Sequence, residues 1–210
     1  MQINIFMGSQ RKPLLLVREL HTDFIHDVNL ALSAHSCLGL HGESGSGKTL
    51  LLRAIADLDV NEGDVRLDDR PRELFTGPQW RRQVSLLPAE SQWWSDSVGG
   101  HASHRPSELL SALGFPEDVL SWQTGRLSSG EKQRLSLVRM LSNQPRVLLL
   151  DEPTANLDAG NTDIVEQIIN DYLRQHQAAA IWVSHDPAQL TRIADSRAIM
   201  DQGRFLPEEN

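Results

Sequence analysis

The sequence predicts an α/β domain built on a mainly parallel β-sheet. Short aliphatic runs alternate along the chain with stretches of helical apolar spacing. A complete G-x-x-x-x-G-K-[ST] pattern, GESGSGKT at residues 42–49, joins one such run to a helix. A third run, VLLL at 147–150, ends in the carboxylate pair Asp151 and Glu152. Strands feeding helices through tight loops, with acidic residues at a strand end, are the signature of this class.

The elements follow in order. Residues 1–13 read as a loose terminus, with no cationic start and apolar core of a secretory leader. Runs 14–17 and 28–32 are strand-like, and 37–41 (CLGLH) is a third strand leading directly into the glycine-rich loop. Residues 49–58 place Leu51, Leu52, Ile55 and Leu58 at helical spacing. Gly63 is read as closing a turn before a strand at 64–68, and 84–88 (VSLLP) as a buried strand. Residues 91–126 change character, with Trp93, Trp94, Trp122, the Gly99-Gly100 pair, Pro106 and Pro116, and read as a mostly helical insertion. A long helix is expected over 127–141, an amphipathic one over 161–175, and further strands at 180–184 and 197–201. The expected organisation is a single domain over 14–205, its helical insertion spanning about 91–140, and a tail at 206–210.

Composition narrows the function classes. At 210 residues one domain with a subdomain is expected, large enough for a substantial core. Lys plus Arg is 20 against 28 for Asp plus Glu, a net charge of −8 that disfavours nucleic acid or an anionic surface as partner. The single cysteine, Cys37, excludes a disulfide framework and a cysteine-rich zinc site. No aliphatic run approaches the roughly 20 residues of a bilayer span, so the expected compartment is the cytoplasm.

The residue types then point to chemistry. Gly42, Gly45 and Gly47 let the backbone bend so that N–H groups of Glu43, Ser44 and Ser46 converge on a phosphate, and the following helix adds its positive end. Lys48 is placed to reach the terminal phosphates and the Thr49 hydroxyl to ligate Mg²⁺. Asp151 suits the same metal and Glu152 suits a general base. A second element, LSSGEKQRL at 127–135, opens a helix in which Ser128 and Glu131 fit a capping box. It is either a good helix start alone or a second anion site.

The ordered set GESGSGKT, LSSGEKQRL, VLLLDEPTANLD and WVSHD resembles the ATP-binding cassette (ABC) ATPases, over nearly the whole chain from Leu14 to Phe205. The resemblance implies a P-loop NTPase core, a small N-terminal antiparallel β subdomain and a helical insertion. It implies ATP and Mg²⁺ as cofactors. Two cassettes would pair head to tail, so that Ser128 and Gly130 contact the nucleotide held by the partner's loop. His185 would act with Glu152 and Lys48 in catalysis. Asp158 falls in the family's D-loop, at the dimer seam, with helix N-cap as its plain alternative.

This sequence departs from the family at several positions. Ser129 stands where the signature has its first glycine, and Glu131 where it has glutamine. Ala89 stands where the Q-loop glutamine is expected, leaving Glu90 or Gln92 as substitutes if the loop shifts. Phe24 is the nearest candidate to stack on adenine, with a core or strand position as its alternative. Trp93 and Trp94 either form a docking patch for a membrane partner or pack within the insertion.

The function expected from the resemblance is the ATP-hydrolysing subunit of an ABC transporter. It would act as a homodimer coupled to a separate transmembrane permease and held at the inner membrane by that partner. The finer likeness is to small bacterial subunits with metal-export roles. A soluble, non-transport ABC ATPase is the alternative, and a P-loop kinase leaves LSSGEKQRL unexplained.

Overall fold

A computed structural model of the chain describes residues 12–101 and 107–208. The expected loose terminus lies outside these apart from Lys12 and Pro13, as do Pro106 and the last two residues. The strands are β1 (Leu15–His21), β2 (Val28–Leu32), β3 (Cys37–His41), β4 (Glu62–Leu67), β5 (Arg70–Pro71), β6 (Val84–Leu87), β7 (Val147–Asp151), β8 (Ala179–Val183), β9 (Ser196–Asp201) and β10 (Arg204–Pro207). The α-helices are α1 (Lys48–Ile55), α2 (Gly77–Gln83), α3 (Ser107–Ala112), α4 (Ser129–Leu141), α5 (Ala159–Gln175) and α6 (Pro187–Ile193). Strands β2-β1-β4-β5 form an antiparallel sheet. Strands β10-β9-β3-β8-β7-β6 form a second sheet, parallel except at its β9–β10 edge.

The central strands of the second sheet are apolar on both faces because helices or the first sheet cover both. Along β7 and β8 alternate side chains part to opposite sides. Leu149 and Ile181 join a core with α1, Trp80 and the antiparallel sheet. Leu148, Leu150 and Trp182 join another with α4, α5 and the insertion. Trp80 is fully buried, and its indole N–H donates to Ile55 O at 2.9 Å, which anchors α2 on the end of α1.

Local signals account for the helix starts. Thr76 and Gln79 close a capping box on α2, Ser128 and Glu131 another on α4, and Asp158 and Asp186 cap α5 and α6. The insertion is helical in short pieces, with 3₁₀ turns at Val98–His101, Glu117–Ser121 and Thr124–Arg126 around α3. It is tied to α4 by Arg134, whose Nη1 donates to Leu113 O at 2.6 Å.

Three expectations are corrected. Gly63 lies inside β4 rather than in a turn before it, opposite a bulge in β1 between Arg18 and His21. Its φ of 121° and a would-be Cβ 2.7 Å from the β1 backbone exclude any side chain there. Residues 206 and 207 continue β10 rather than starting a tail. The α2 and α6 helices were not anticipated; each is seven residues long, too short for apolar periodicity to stand out.

Candidate nucleotide site

The site lies at the carboxyl ends of three adjacent parallel strands, where open α/β sheets place their ligands. The loop 42–47 leaves β3 and enters α1 at Lys48. Asp151 ends β7, in register with Val183 of β8. Glu152 follows, its N–H donating to Val183 O at 3.2 Å, and His185 stands two residues beyond β8. A cleft of about 280 Å³ gathers Ser44, Gly45, Gly47, Lys48, Thr49, Asp151, Glu152 and His185, with Ala89 on its wall. Of the expected loop residues, Gly42, Glu43 and Ser46 are not in this lining.

Within the cleft the polar atoms are already aligned. Thr49 Oγ1 donates to Asp151 Oδ2 at 2.7 Å across 102 residues of sequence. Lys48 Nζ donates to Gly42 O at 2.8 Å and to Glu43 O at 2.9 Å, which holds the ammonium over the loop. Burial pulls the Lys48 ammonium below its ordinary range, and the carboxylates of Glu152 and Asp151 oppose that pull. Gly47 caps α1 at φ 108°, and a Cβ there would stand 2.9 Å from Ile25 and 3.1 Å from Phe24.

Glu152 is set apart from Asp151. Its backbone is left-handed, φ 50°, an uncommon conformation for a residue with a Cβ and one that clusters at functional sites. Burial pushes its carboxyl above the ordinary range, against the opposing charges of His185 and Lys48. Its Oε1 is buried with no hydrogen-bond partner and lies 3.4 Å from His185 Nε2. The arrangement offers a hard-oxygen pair for a cation (Thr49, Asp151), a cation for phosphate (Lys48) and a raised carboxylate for a proton (Glu152). The orphaned hydroxyl of Ser46 is a further polar atom of the loop with no partner of its own.

The remaining expected residues lie elsewhere. Ser128, Ser129 and Gly130 are absent from the cleft lining, at the exposed tip of α4. The Ser128 hydroxyl donates to Glu131 Oε2 at 2.8 Å and accepts from Glu131 N at 3.2 Å, so the capping box is realised. The Ser128 backbone N–H, donating to Glu131 Oε2 at 2.8 Å, and then the Ser128 hydroxyl hold the Glu131 carboxyl below its usual range. Asp158 accepts from Asn161 N at 2.9 Å, which realises its N-cap alternative. Phe24 is neither in a strand nor in the core; a turn built on Thr22 Oγ1 leaves it part-exposed beside Gly47. Glu90 and Gln92 are exposed and do not line the cleft, so neither supplies the oxygen that Ala89 lacks.

The tryptophan pair divides between its two readings. Trp93 packs against the second core, whereas Trp94 is 74% exposed. Both rings meet His101 edge-on and both are capped by Arg139. Sequence reasoning missed Gln189 and Thr154, whose bond is taken up below; no local pattern in the sequence signals it.

Comparison with known proteins agrees with this geometry. The ABC transporter family model matches residues 25–155, well over half of the chain. The chain is 34% identical over 185 residues to an aliphatic sulfonates import ATP-binding protein of Pseudomonas syringae, covering 86% of this chain and 65% of that relative. It is 30% identical over 179 residues to a probable iron export ATP-binding protein of Escherichia coli, covering 79% and 80%. The chain thus spans about two thirds of the length of the sulfonate relative, and the relatives' names include both import and export. Its fold superposes with TM-score 0.78 on a dimeric ATP-binding cassette in a post-hydrolysis state bound to ADP and Pi, at 20% identity over 93% of this chain and 98% of the other. With its phosphate loop, acidic strand end and serine–glycine helix tip in the family's order, this chain belongs to the ABC transporter family as an ATP-binding cassette.

Proposed function

We propose that the chain is the ATP-hydrolysing subunit of an ABC transporter. It works as a head-to-tail homodimer on a separate transmembrane permease at the inner face of the membrane. The observation that carries this reading is the wired cleft: Thr49 bonded to Asp151, with Lys48, Glu152 and His185 in the same lining. No helix among the described residues is long and apolar enough to cross a membrane, which agrees with a permease in another chain.

The residues fit ATP and Mg²⁺. When bound, the ion supplies charge neutralisation at the terminal phosphates. Backbone N–H groups of residues 43–47 cradle the phosphates, and Lys48 exchanges its loop carbonyls for them. Thr49, in the first turn of α1, and Asp151, at the end of β7, would hold the ion. Glu152, with its raised carboxyl and free Oε1, takes the proton of the attacking water, and His185 orients that carboxylate. Ser128 and Gly130 cap the nucleotide of the partner subunit. Their exposed position at the tip of α4, outside their own chain's cleft, supports this sharing. Trp94, exposed beside Arg139, is the docking point for the permease.

The test is ATP-dependent association of the Glu152→Gln chain, followed by light scattering. A dimer with ATP and a monomer without it is expected. A monomer under both conditions contradicts the reading.

A further inference from the structure

A polar network outside the nucleotide cleft links the two loops that carry Glu152 and His185. Gln189, on α6, is 3% exposed, and both hydrogens of its amide are engaged. Its Nε2 donates to Thr154 Oγ1 at 2.9 Å and to Glu166 Oε1 at 2.8 Å. Glu166, on α5 and itself buried, is gripped by Arg192, whose Nε donates to Oε2 at 2.8 Å and whose Nη2 donates to Oε1 at 2.7 Å. The network is closed: the carboxylate has its cation and the amide nitrogen has two acceptors. Thr154 lies two residues beyond Glu152, in the turn where Ala155 N donates to Glu152 O and Leu157 N to Thr154 O. Gln189 lies four residues beyond His185, on a helix capped by Asp186, whose N–H donates to Ser184 Oγ at 3.1 Å.

We infer that Gln189 is a positioning residue for hydrolysis: through Thr154 it locks the turn after Glu152 to α6, the helix that begins two residues after His185. Beside the backbone bond of Glu152 N to Val183 O, the Gln189–Thr154 bond is a second tie between the loops that carry Glu152 and His185, whose side chains stand 3.4 Å apart. The same turn bears Asn156, whose carbonyl oxygen would stand 2.9 Å from a Cβ on Gly130. The lock therefore reaches the tip of α4 as well. This inference rests on the reading of Glu152 and His185 given above.

The experiment compares Gln189→Leu, Thr154→Val and Thr154→Ser in the full chain, by hydrogen exchange and by ATPase kinetics. In Gln189→Leu and Thr154→Val the Ala155 and Leu157 amides should exchange at least about fivefold faster, while amides of α1 are unaffected. Turnover should fall about tenfold with KM for ATP within about twofold, since the phosphate loop is untouched. Thr154→Ser, which keeps the hydroxyl, should retain wild-type exchange and turnover. The Gln189→Leu/Thr154→Val double variant should be no worse than either single variant. Unchanged exchange at Ala155 and Leu157, equal behaviour of the Val and Ser variants, or multiplying effects would overturn the inference. The Thr154 pair decides the matter if Gln189→Leu fails to fold. A wild-type chain without ATPase activity counts against the proposed function instead, and exchange then still judges the lock.

Discussion

The tip of α1 and the tip of α4 are both glycine-and-serine helix starts, yet they are built differently. At α1 no side chain caps the helix; Gly47 turns the backbone, and Lys48 and Thr49 reach outward to the loop carbonyls and to Asp151. At α4 the first turn is satisfied internally, because Ser128 and Glu131 close on each other. The first presents a cation and a loop of backbone N–H groups to the cleft. The second is a stable helix end with an exposed face, which under the proposed function meets a nucleotide held by a second copy. A helix N-terminus becomes an anion site only when its cap is free or can be exchanged, and the difference lies in which side chains the cap consumes.

The comparison can be broken most sharply at α1. Lys48→Ala should weaken ATP binding by about 100-fold or more, because a charge-assisted phosphate contact is lost, as read by nucleotide fluorescence titration. Glu152→Gln should leave that binding intact and reduce turnover by about 10²- to 10⁴-fold, the range of a general base. At α4, Gly130→Ala should reduce turnover about tenfold, since its Cβ meets Asn156 O at 2.9 Å, while leaving ATP binding to the monomer unchanged. Equal losses of binding from Lys48→Ala and Gly130→Ala would erase the distinction between the two tips.

A smaller effect comes from pH. The Glu152 carboxyl is raised by burial, so its proton is held more tightly in the folded chain than in the unfolded one. Its contribution to stability is present below the unfolded carboxylate range and is lost as pH rises through the folded value. Glu152→Gln should therefore raise Tm by a few degrees at neutral pH, with the gain vanishing below the ordinary carboxylate range, as read by calorimetry. The acid limb of the turnover profile should also lie above that range. The smallest effect is expected at the cleft wall: Ala89→Gln should change turnover by about two- to fivefold, by restoring an oxygen there.

The α1 side was legible in the sequence because its chemistry is local. Eight consecutive residues make the loop, and an aliphatic strand announces Asp151 and Glu152. What escaped was joined across the fold. Gln189 and Thr154 lie 35 residues apart and Gln189 and Glu166 lie 23 apart, in a turn and two helices whose residue spacing carries no trace of the bonds. Gly63 was read as a turn because a glycine with positive φ serves a bulge equally well, and only the β1 pairing decides between them. Trp93 and Trp94 could not be separated by type; both touch His101 and Arg139, only Trp93 also packs on the core, and the insertion has no long periodicity to tell which is covered. Ser128 kept both of its readings for a related reason: the capping box is visible in sequence, but a site shared between two chains is not.

The most direct measurement mixes two chains in the Glu152→Gln background, one carrying Lys48→Ala and the other Gly130→Asp, and follows ATP-dependent association by sedimentation. Each alone should remain monomeric. Together they should form a heterodimer, because one composite site then has an intact loop from one chain and an intact tip from the other. A mixture that stays monomeric with ATP, while the parent Glu152→Gln chain dimerises, would contradict a nucleotide shared between two protomers.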